Sequence, residues 1–303
     1  MTGTADVASG RDLNPGRLAR RYVDEVRTEL TQIEDTLHVV GLIATDDEPS
    51  LAYARATKAK FDDVGMAYEL RNVPRLELEA NILALNADPA VHGVFIYFPV
   101  FHNQQDDYLR NLVDFRKDIE AGSIYWTRKL YANDRSAVDG DLAKKALLPC
   151  TPLAIVKMLT EIGEYAAAEK PIAGKTVTIF NRSEVIGRPL AVMLSNDGAR
   201  VYSFDENGPL EFVDATPLET GVTRSEALAA SDIVVTGVPS TGFERITASE
   251  VKEDAVCLNF SSVPNFADDI TSRTRTYIPR VGPMTVAMCM RNTLRLYRHF
   301  HAG

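Results

Sequence analysis

Cysteine is scarce in this chain and forms no pattern: Cys150, Cys257 and Cys289 are widely spaced and include no CxxC pair. That spacing supplies neither a disulfide framework nor a structural zinc set, and it fits a reducing, cytoplasmic compartment. The five histidines form no HExxH, and the two in the terminal Tyr-Arg-His-Phe-His-Ala-Gly read as part of a solvated tail, so no metal is expected. Long hydrophobic runs are also missing. The longest, Gly93 to Phe101, falls well short of the roughly 20 residues that cross a bilayer, so no membrane partner is expected. No apolar stretch follows the first charges, which excludes a secretory signal, and the first dozen residues read as a frayed tail. Positive charge is in deficit, with 33 Lys and Arg against 42 Asp and Glu and no basic run longer than two. Without clustered cations the chain is not a nucleic-acid binder.

What is present is an ordinary globular composition, 45% hydrophobic and 25% charged, over 303 residues, a length that suggests two domains. Helical and strand patterns alternate, predicting an α/β fold with a mostly parallel sheet. In the first half the helices are 18–34, 50–64 (with Ser50 as N-cap) and 76–87. The strands there are 38–44, 68–73 and 94–97. Residues 132–146 are small and polar and mark the best crossover between domains. A helix over 152–162 follows, then strands at 176–181, 200–205, 233–236 and 255–260, with helices at 189–197 and 225–230. A helix over 286–300 can return to the first domain. The expected division is 1–147 completed by 284–303, and 148–283.

The sharpest chemistry lies in residues 176–205. A buried strand runs into Asn181-Arg182-Ser183-Glu184-Val185-Ile186-Gly187-Arg188-Pro189. A glycine between strand and helix lets backbone N–H groups approach a pyrophosphate at the helix N-terminus, and Pro189 suits a first helical turn. The full G-x-G-x-x-G is absent, so an ordinary βα turn gives the same pattern. The next strand, Arg200 to Asp205, ends in a carboxylate about twenty residues later, where dinucleotide folds place an acceptor for the ribose 2′-OH. Asp205, with Glu206 beside it, would repel the extra phosphate of NADP, so the expected cofactor is NAD. A simple loop cap is the other reading of Asp205.

Six ordered stretches then resemble the methylenetetrahydrofolate dehydrogenase/cyclohydrolase family, and within it the monofunctional NAD-dependent branch. They are Tyr97-Phe98-Pro99-Val100, Lys117-Asp118-Ile119-Glu120, Leu148-Pro149-Cys150-Thr151-Pro152, Asn181-Arg182-Ser183 through Gly187-Arg188-Pro189, Thr236-Gly237-Val238-Pro239, and Val281-Gly282-Pro283-Met284-Thr285-Val286-Ala287-Met288. The resemblance implies a folate-binding N-terminal domain, a Rossmann-type NAD domain, an active site in the cleft between them, and a homodimer. It implies tetrahydrofolate derivatives as substrates in one-carbon metabolism. It also extends the cofactor set from Asn181, Arg182, Ser183, Gly187, Arg188, Pro189 and Asp205 to Phe204, Gly237, Val238, Pro239 and Asn259.

Within that resemblance the water-activating apparatus is altered. Bifunctional relatives read S-x-x-Y-x-x-x-K; here Ser50 and Tyr53 match, but Thr57 stands at the lysine position. Lys58 is one residue late, turned by about 100° around the helix, and reads as a surface residue. Tyr97 replaces the relatives' glutamine, and Glu120-Ala121 replaces their Asp-Gly. Three changes around one function predict a dehydrogenase without cyclohydrolase activity. By resemblance, Tyr53 stacks on the folate aminobenzoate and Glu120 bonds the pteridine, with Thr57, Phe98, Pro99, Asp118 and Pro283 around the substrate. Tyr53, Tyr97 and Cys150 are the candidate catalytic residues. Tyr53 as a core aromatic and Cys150 as a small packed hydrophobe stand as alternatives. The rival functions are a bifunctional enzyme rescued by Lys58 and a silent folate- or NAD-binding protein.

Overall fold

The structure is a computed structural model that describes residues 13–302; the expected frayed tail lies outside them. Contacts divide the chain into two compact units: Ala19–Cys150 with Thr285–Gly303, and Thr151–Met284 with the chain up to Leu18.

After α1 (Pro15–Leu30), the first unit runs β1 (His38–Ile43), α2 (Glu48–Val64), β2 (Ala67–Asn72), α3 (Leu78–Ala87), β3 (Gly93–Ile96), α4 (Gln104–Leu112) and α5 (Ile124–Tyr131). A hairpin of β4 (Ser136–Val138) and β5 (Asp141–Lys145) follows, formed by the polar stretch expected to be a crossover. The main sheet is three parallel strands in the order β2-β1-β3. Strand β1 is apolar without alternation because Val39 through Ile43 are all buried, as a parallel strand covered on both faces requires. Val40, Leu42, Val94 and Ile96 pack with Leu78, Ile82 and Leu85 of α3. Each such side chain stabilises the fold by about 1.5–3 kcal/mol through burial.

Helix α2 starts two residues before Ser50. The N-cap is Asp47, whose carboxylate accepts from the Ser50 backbone N–H at 2.9 Å and its hydroxyl at 2.7 Å. Those bonds hold the Asp47 carboxyl below its ordinary range. A carboxylate three residues upstream thus outcompetes the serine as cap and makes Ser50 part of the first turn.

In the second unit α6 (Cys150–Glu161) leads into β6 (Thr176–Phe180), α7 (Gly187–Asn196), β7 (Arg200–Asp205), β8 (Gly208–Val213), β9 (Thr216–Glu219), α8 (Arg224–Ala230), β10 (Ile233–Thr236), β11 (Val256–Asn259) and β12 (Thr276–Ile278). The sheet order is β12-β11-β10-β6-β7-β8-β9, parallel through β7 with an antiparallel ribbon beyond it. Strand β6 lies between β10 and β7, so the winding reverses there. The strand ends at such a switch point form a ligand crevice.

Helix α9 (Gly282–Leu296) continues as a π-turn over Tyr297–His301. The chain end is not a solvated tail. His299 Nε2 lies 3.1 Å from the Lys145 carbonyl oxygen, and His301 Nε2 lies 2.9 Å from that of Arg116. Among the described residues no helix is long and apolar enough to cross a membrane, and no cluster of potential metal ligands occurs.

Candidate active and cofactor sites

In the first unit, α2 and the end of β3 bring Tyr53, Thr57 and Tyr97 together. Tyr53 is 47% exposed, so it is not a core aromatic, and its ring meets that of Tyr97 edge-on at 6.1 Å. Thr57 is buried and its hydroxyl donates to the Tyr53 carbonyl at 3.0 Å. Lys58 points elsewhere: its ammonium donates to Asp62 and to the Tyr68 carbonyl, both at 2.7 Å. The late lysine is therefore tethered to the start of β2 and does not share the face of Tyr53.

Tyr97 packs on Phe95 and shares a hydrogen bond of 2.8 Å with the hydroxyl of Tyr68. Sequence reasoning passed over Tyr68. Its one signal is Gly41, in the middle of β1: a Cβ there would lie 2.1 Å from the Tyr68 hydroxyl oxygen. Glycine inside a strand marks such a close approach. Burial pushes the phenols up, Tyr97 to about 12 and Tyr53 and Tyr68 further, so all three stay protonated at neutral pH.

The loop after Tyr97 contains a cis peptide between Phe98 and Pro99. Asp106 organises it by accepting from the backbone N–H groups of Val100, Phe101 and His102 at 2.8–3.2 Å. Arg110 lies over the Phe98 ring at 4.8 Å, and Pro99 is exposed.

The acids behave differently from each other. Asp118 is buried and accepts from the Ser123 N–H at 2.8 Å, while burial raises its pKa. Lys117 is structural, donating to the Leu85 and Asp88 carbonyls at 2.8 and 2.6 Å. Glu120 is half-buried, and its carboxyl has no hydrogen-bond partner among the described residues. Burial first, and the charge of Asp118 second, push it up to about 8.

Cys150 is a buried thiol 3.2 Å from the Ile119 carbonyl. Asn292 of α9 donates to its sulfur at 3.3 Å, to the Ile119 carbonyl at 3.0 Å and to the Leu148 carbonyl at 3.2 Å. Burial, and then the neighbouring Cys289, raise the thiol well above its ordinary range. A protonated, hydrogen-bonded sulfur has no nucleophilic form at neutral pH. Pro283, the second residue of α9, is counted with the second unit.

In the second unit the turn after β6 is tied down by Asn181. Its amide donates to the Gly237 carbonyl at 2.9 Å, and its oxygen accepts from the Ser183 N–H at 3.0 Å and hydroxyl at 2.7 Å. A Cβ on Gly187 would lie 2.0 Å from the Asn181 carbonyl oxygen, so only glycine lets α7 begin this close to the strand end. The helix starts at Gly187 with Pro189 third; the Gly187 N–H reaches the Ser183 hydroxyl at 3.4 Å and the Arg188 N–H the Ser183 carbonyl at 3.0 Å. A glycine turn running into a helix N-terminus at the sheet's switch point fits a dinucleotide pyrophosphate.

Around that turn, Phe204 stacks on Phe180 at 5.0 Å, and the Val238 N–H donates to Asn265 at 2.9 Å. Pro239 is exposed, and Arg188 pairs with Glu184 at 2.9 Å. Asn259 is buried, its amide donating to the Ser261 and Val263 carbonyls at 3.0 and 3.2 Å, so it shapes the loop after β11. Asp205 is held by Arg182. The guanidinium Nε donates to one carboxylate oxygen at 2.9 Å and an Nη group to the other, while its remaining donors reach the Ser203 and Gly208 carbonyls at 3.0 and 2.8 Å. Asp205 also accepts from the Asn207 N–H at 2.8 Å, so it caps its turn as well. Sequence spacing located the acid but carried no sign of this guanidinium partner.

Comparison with known proteins gives a consistent result. Family models for the tetrahydrofolate dehydrogenase/cyclohydrolase catalytic domain and NAD(P)-binding domain match residues 13–120 and 149–301. The chain is 38% identical to a methylenetetrahydrofolate dehydrogenase [NAD(+)] of Dictyostelium discoideum, covering 95% of this chain and 94% of that one. It is 37% identical to the protein of that name in Schizosaccharomyces pombe, covering 92% and 91%. The solved structure of the NAD-dependent 5,10-methylenetetrahydrofolate dehydrogenase from Saccharomyces cerevisiae superposes with a TM-score of 0.88 at 35% identity, covering 96% and 98%. The chain belongs to the tetrahydrofolate dehydrogenase/cyclohydrolase family.

Proposed function

We propose that this protein oxidises 5,10-methylenetetrahydrofolate to the methenyl form with NAD, and that it has no cyclohydrolase activity. The observation that carries this reading is the state of α2: Thr57 is buried and bonded to its own helix, and Lys58 is tied to Asp62 and Tyr68. The lysine next to this position in the chain is thereby held away from Tyr53 and does not assist attack of water there. The phenols are no substitute, because burial keeps them protonated. Loss of hydride from the one-carbon bridge leaves a cation delocalised over two nitrogens, a step that needs positioning rather than a base. Bound NAD supplies the hydride acceptor.

The chain's part is then to bind and orient. The exposed face of Tyr53 offers a stacking surface for an aromatic ring. The Glu120 carboxyl, without a hydrogen-bond partner among the described residues, can bond the N–H groups of a pteridine, with Phe98, Pro99 and Asp118 around the substrate. Cys150 serves by holding Glu120 in place, since its backbone N–H donates to the Glu120 carbonyl at 3.2 Å. Asn181, Ser183, Gly187 and the N-terminus of α7 receive the pyrophosphate. Asp205 sets the preference for NAD by presenting a carboxylate where a 2′-phosphate would sit and by occupying Arg182. A homodimer in the cytoplasm, supplying one-carbon units for purine synthesis, completes the reading; three buried free thiols are consistent with a reducing compartment.

The test is a spectrophotometric assay with methylenetetrahydrofolate, NAD or NADP, following reduced cofactor and methenyl product separately. NAD-linked turnover with equal amounts of both products is expected. NADP preference would overturn the role of Asp205, and binding of NAD without turnover would leave a silent homologue.

A further inference from the structure

Two adjoining recesses in the first unit involve none of the residues assigned to folate or NAD. The larger, about 300 Å³, lies between α5, the β4–β5 hairpin and α9; the smaller, about 220 Å³, continues along the last turns of α9. Lys145 and Arg295 line both, so the two meet at these side chains. In a chain of net charge −9 their lining is cationic, with only Asp134 and Glu29 as acids.

Some of these cations are already held. Lys129 reaches Asp134 and Asp139 at 2.7 Å each, and Arg298 pairs with Glu29. Three are not. Among the described residues the side chains of Lys145, Arg291 and Arg295 have no hydrogen-bond acceptor or bonded counter-ion; Arg291 meets only the face of Tyr22, at 5.9 Å. Arg291 and Arg295 stand one turn apart on α9, where like charges repel. Partial burial and that repulsion act against the Arg295 charge and outweigh the attraction of Glu29, yet a guanidinium does not shed its proton. The result is a fork of unfilled donors and three converging positive charges facing open space. A carboxylate brings one negative charge; a phosphoryl group brings about two and more acceptor oxygens, and it matches this donor set better. The larger recess adds an apolar wall of Leu142, Leu147 and Leu148, and Leu142 is 76% exposed with nothing to cover it.

We infer that Lys145, Arg291 and Arg295 form a binding site for a phosphorylated small molecule, with the phosphoryl group at their junction and an apolar part against Leu142. The bland alternative is that these cations only answer the negative end of α9.

The experiment is calorimetric titration of the full chain with inorganic pyrophosphate, at constant ionic strength and in saturating NAD so that the N-terminus of α7 is occupied. One saturable site is expected, with a dissociation constant below about 1 mM, weakened about tenfold or more in Arg295→Gln while NAD affinity is unchanged. Lys145→Gln, at an exposed strand end, gives the same test should Arg295→Gln fail to fold. No saturable heat, or equal binding by wild type and both variants, overturns the inference. So does equal affinity for tri-γ-glutamate, which would make the site a carboxylate site.

Discussion

Asp205 and Glu120 mark the two halves of the proposed chemistry, and the protein treats them in opposite ways. Asp205 ends β7 with both carboxylate oxygens engaged, by Arg182 and by the Asn207 N–H. Glu120 sits half-buried with no hydrogen-bond partner among the described residues, and is pushed up to about 8 despite the charge of Arg110. An acid already paired holds a fixed charge and can exclude a second anion. An acid left unpartnered stores an unfavourable desolvation that a ligand with N–H donors relieves on binding. On the proposed reading, discrimination between cofactors is built in before binding, whereas substrate recognition is completed by the substrate itself.

The first way to break the comparison is to free Arg182. Asp205→Ser removes the carboxylate and leaves a guanidinium able to meet a 2′-phosphate. The ratio of kcat/KM for NAD over NADP should fall by about 100-fold, equivalent to ~2.7 kcal/mol. An unchanged ratio would mean that Asp205 serves only to cap its turn. Next in size is Gly41→Ala, which drives a methyl group to within 2.1 Å of the Tyr68 hydroxyl. Overpacking should cost ~1–3 kcal/mol in denaturant unfolding and separate the Tyr68–Tyr97 pair.

Glu120→Gln sharpens the contrast through pH. The folded-state value is raised from the ordinary 4.5 to about 8, so the folded protein holds a proton that the unfolded chain releases. Stability is therefore lost as pH rises from about 4.5 to about 8. The glutamine variant should melt with the wild type near pH 4 and gain ~1–2 kcal/mol over it by about pH 8, with a raised KM for the folate. A gain at low pH instead would reverse the sign of the account. The smallest effect belongs to Lys58→Met. Its Asp62 partner and its own side chain are each 42% exposed, so loss of about 0.5 kcal/mol or less and unchanged dehydrogenase turnover are expected. A large loss of activity would give Lys58 a role that its geometry does not.

Much of this architecture is legible in the chain. The unbroken apolar run of β1, the βα turn at Gly187 and the acid ending β7 each follow from local physics, because burial on both faces, a close backbone approach and strand length leave sequence marks. The Ser50 cap was misplaced because two adjacent segments offered competing caps, and Asp47 supplies the stronger acceptor. The helices α4 and α5 are only nine and eight residues long, little more than two turns each, too short for an apolar face to repeat along the chain. Tyr68 and the Arg182–Asp205 pair were invisible for a different reason. Both contacts join residues more than twenty positions apart, and only Gly41 records one of them, as a missing side chain.

The measurement that tests the central claim most directly is the decay of methenyltetrahydrofolate with and without the protein, at neutral pH and without cofactor. The account predicts the same rate in both, because neither Thr57, Lys58 nor the protonated phenols can activate water. A rate that rises in proportion to protein concentration would contradict it.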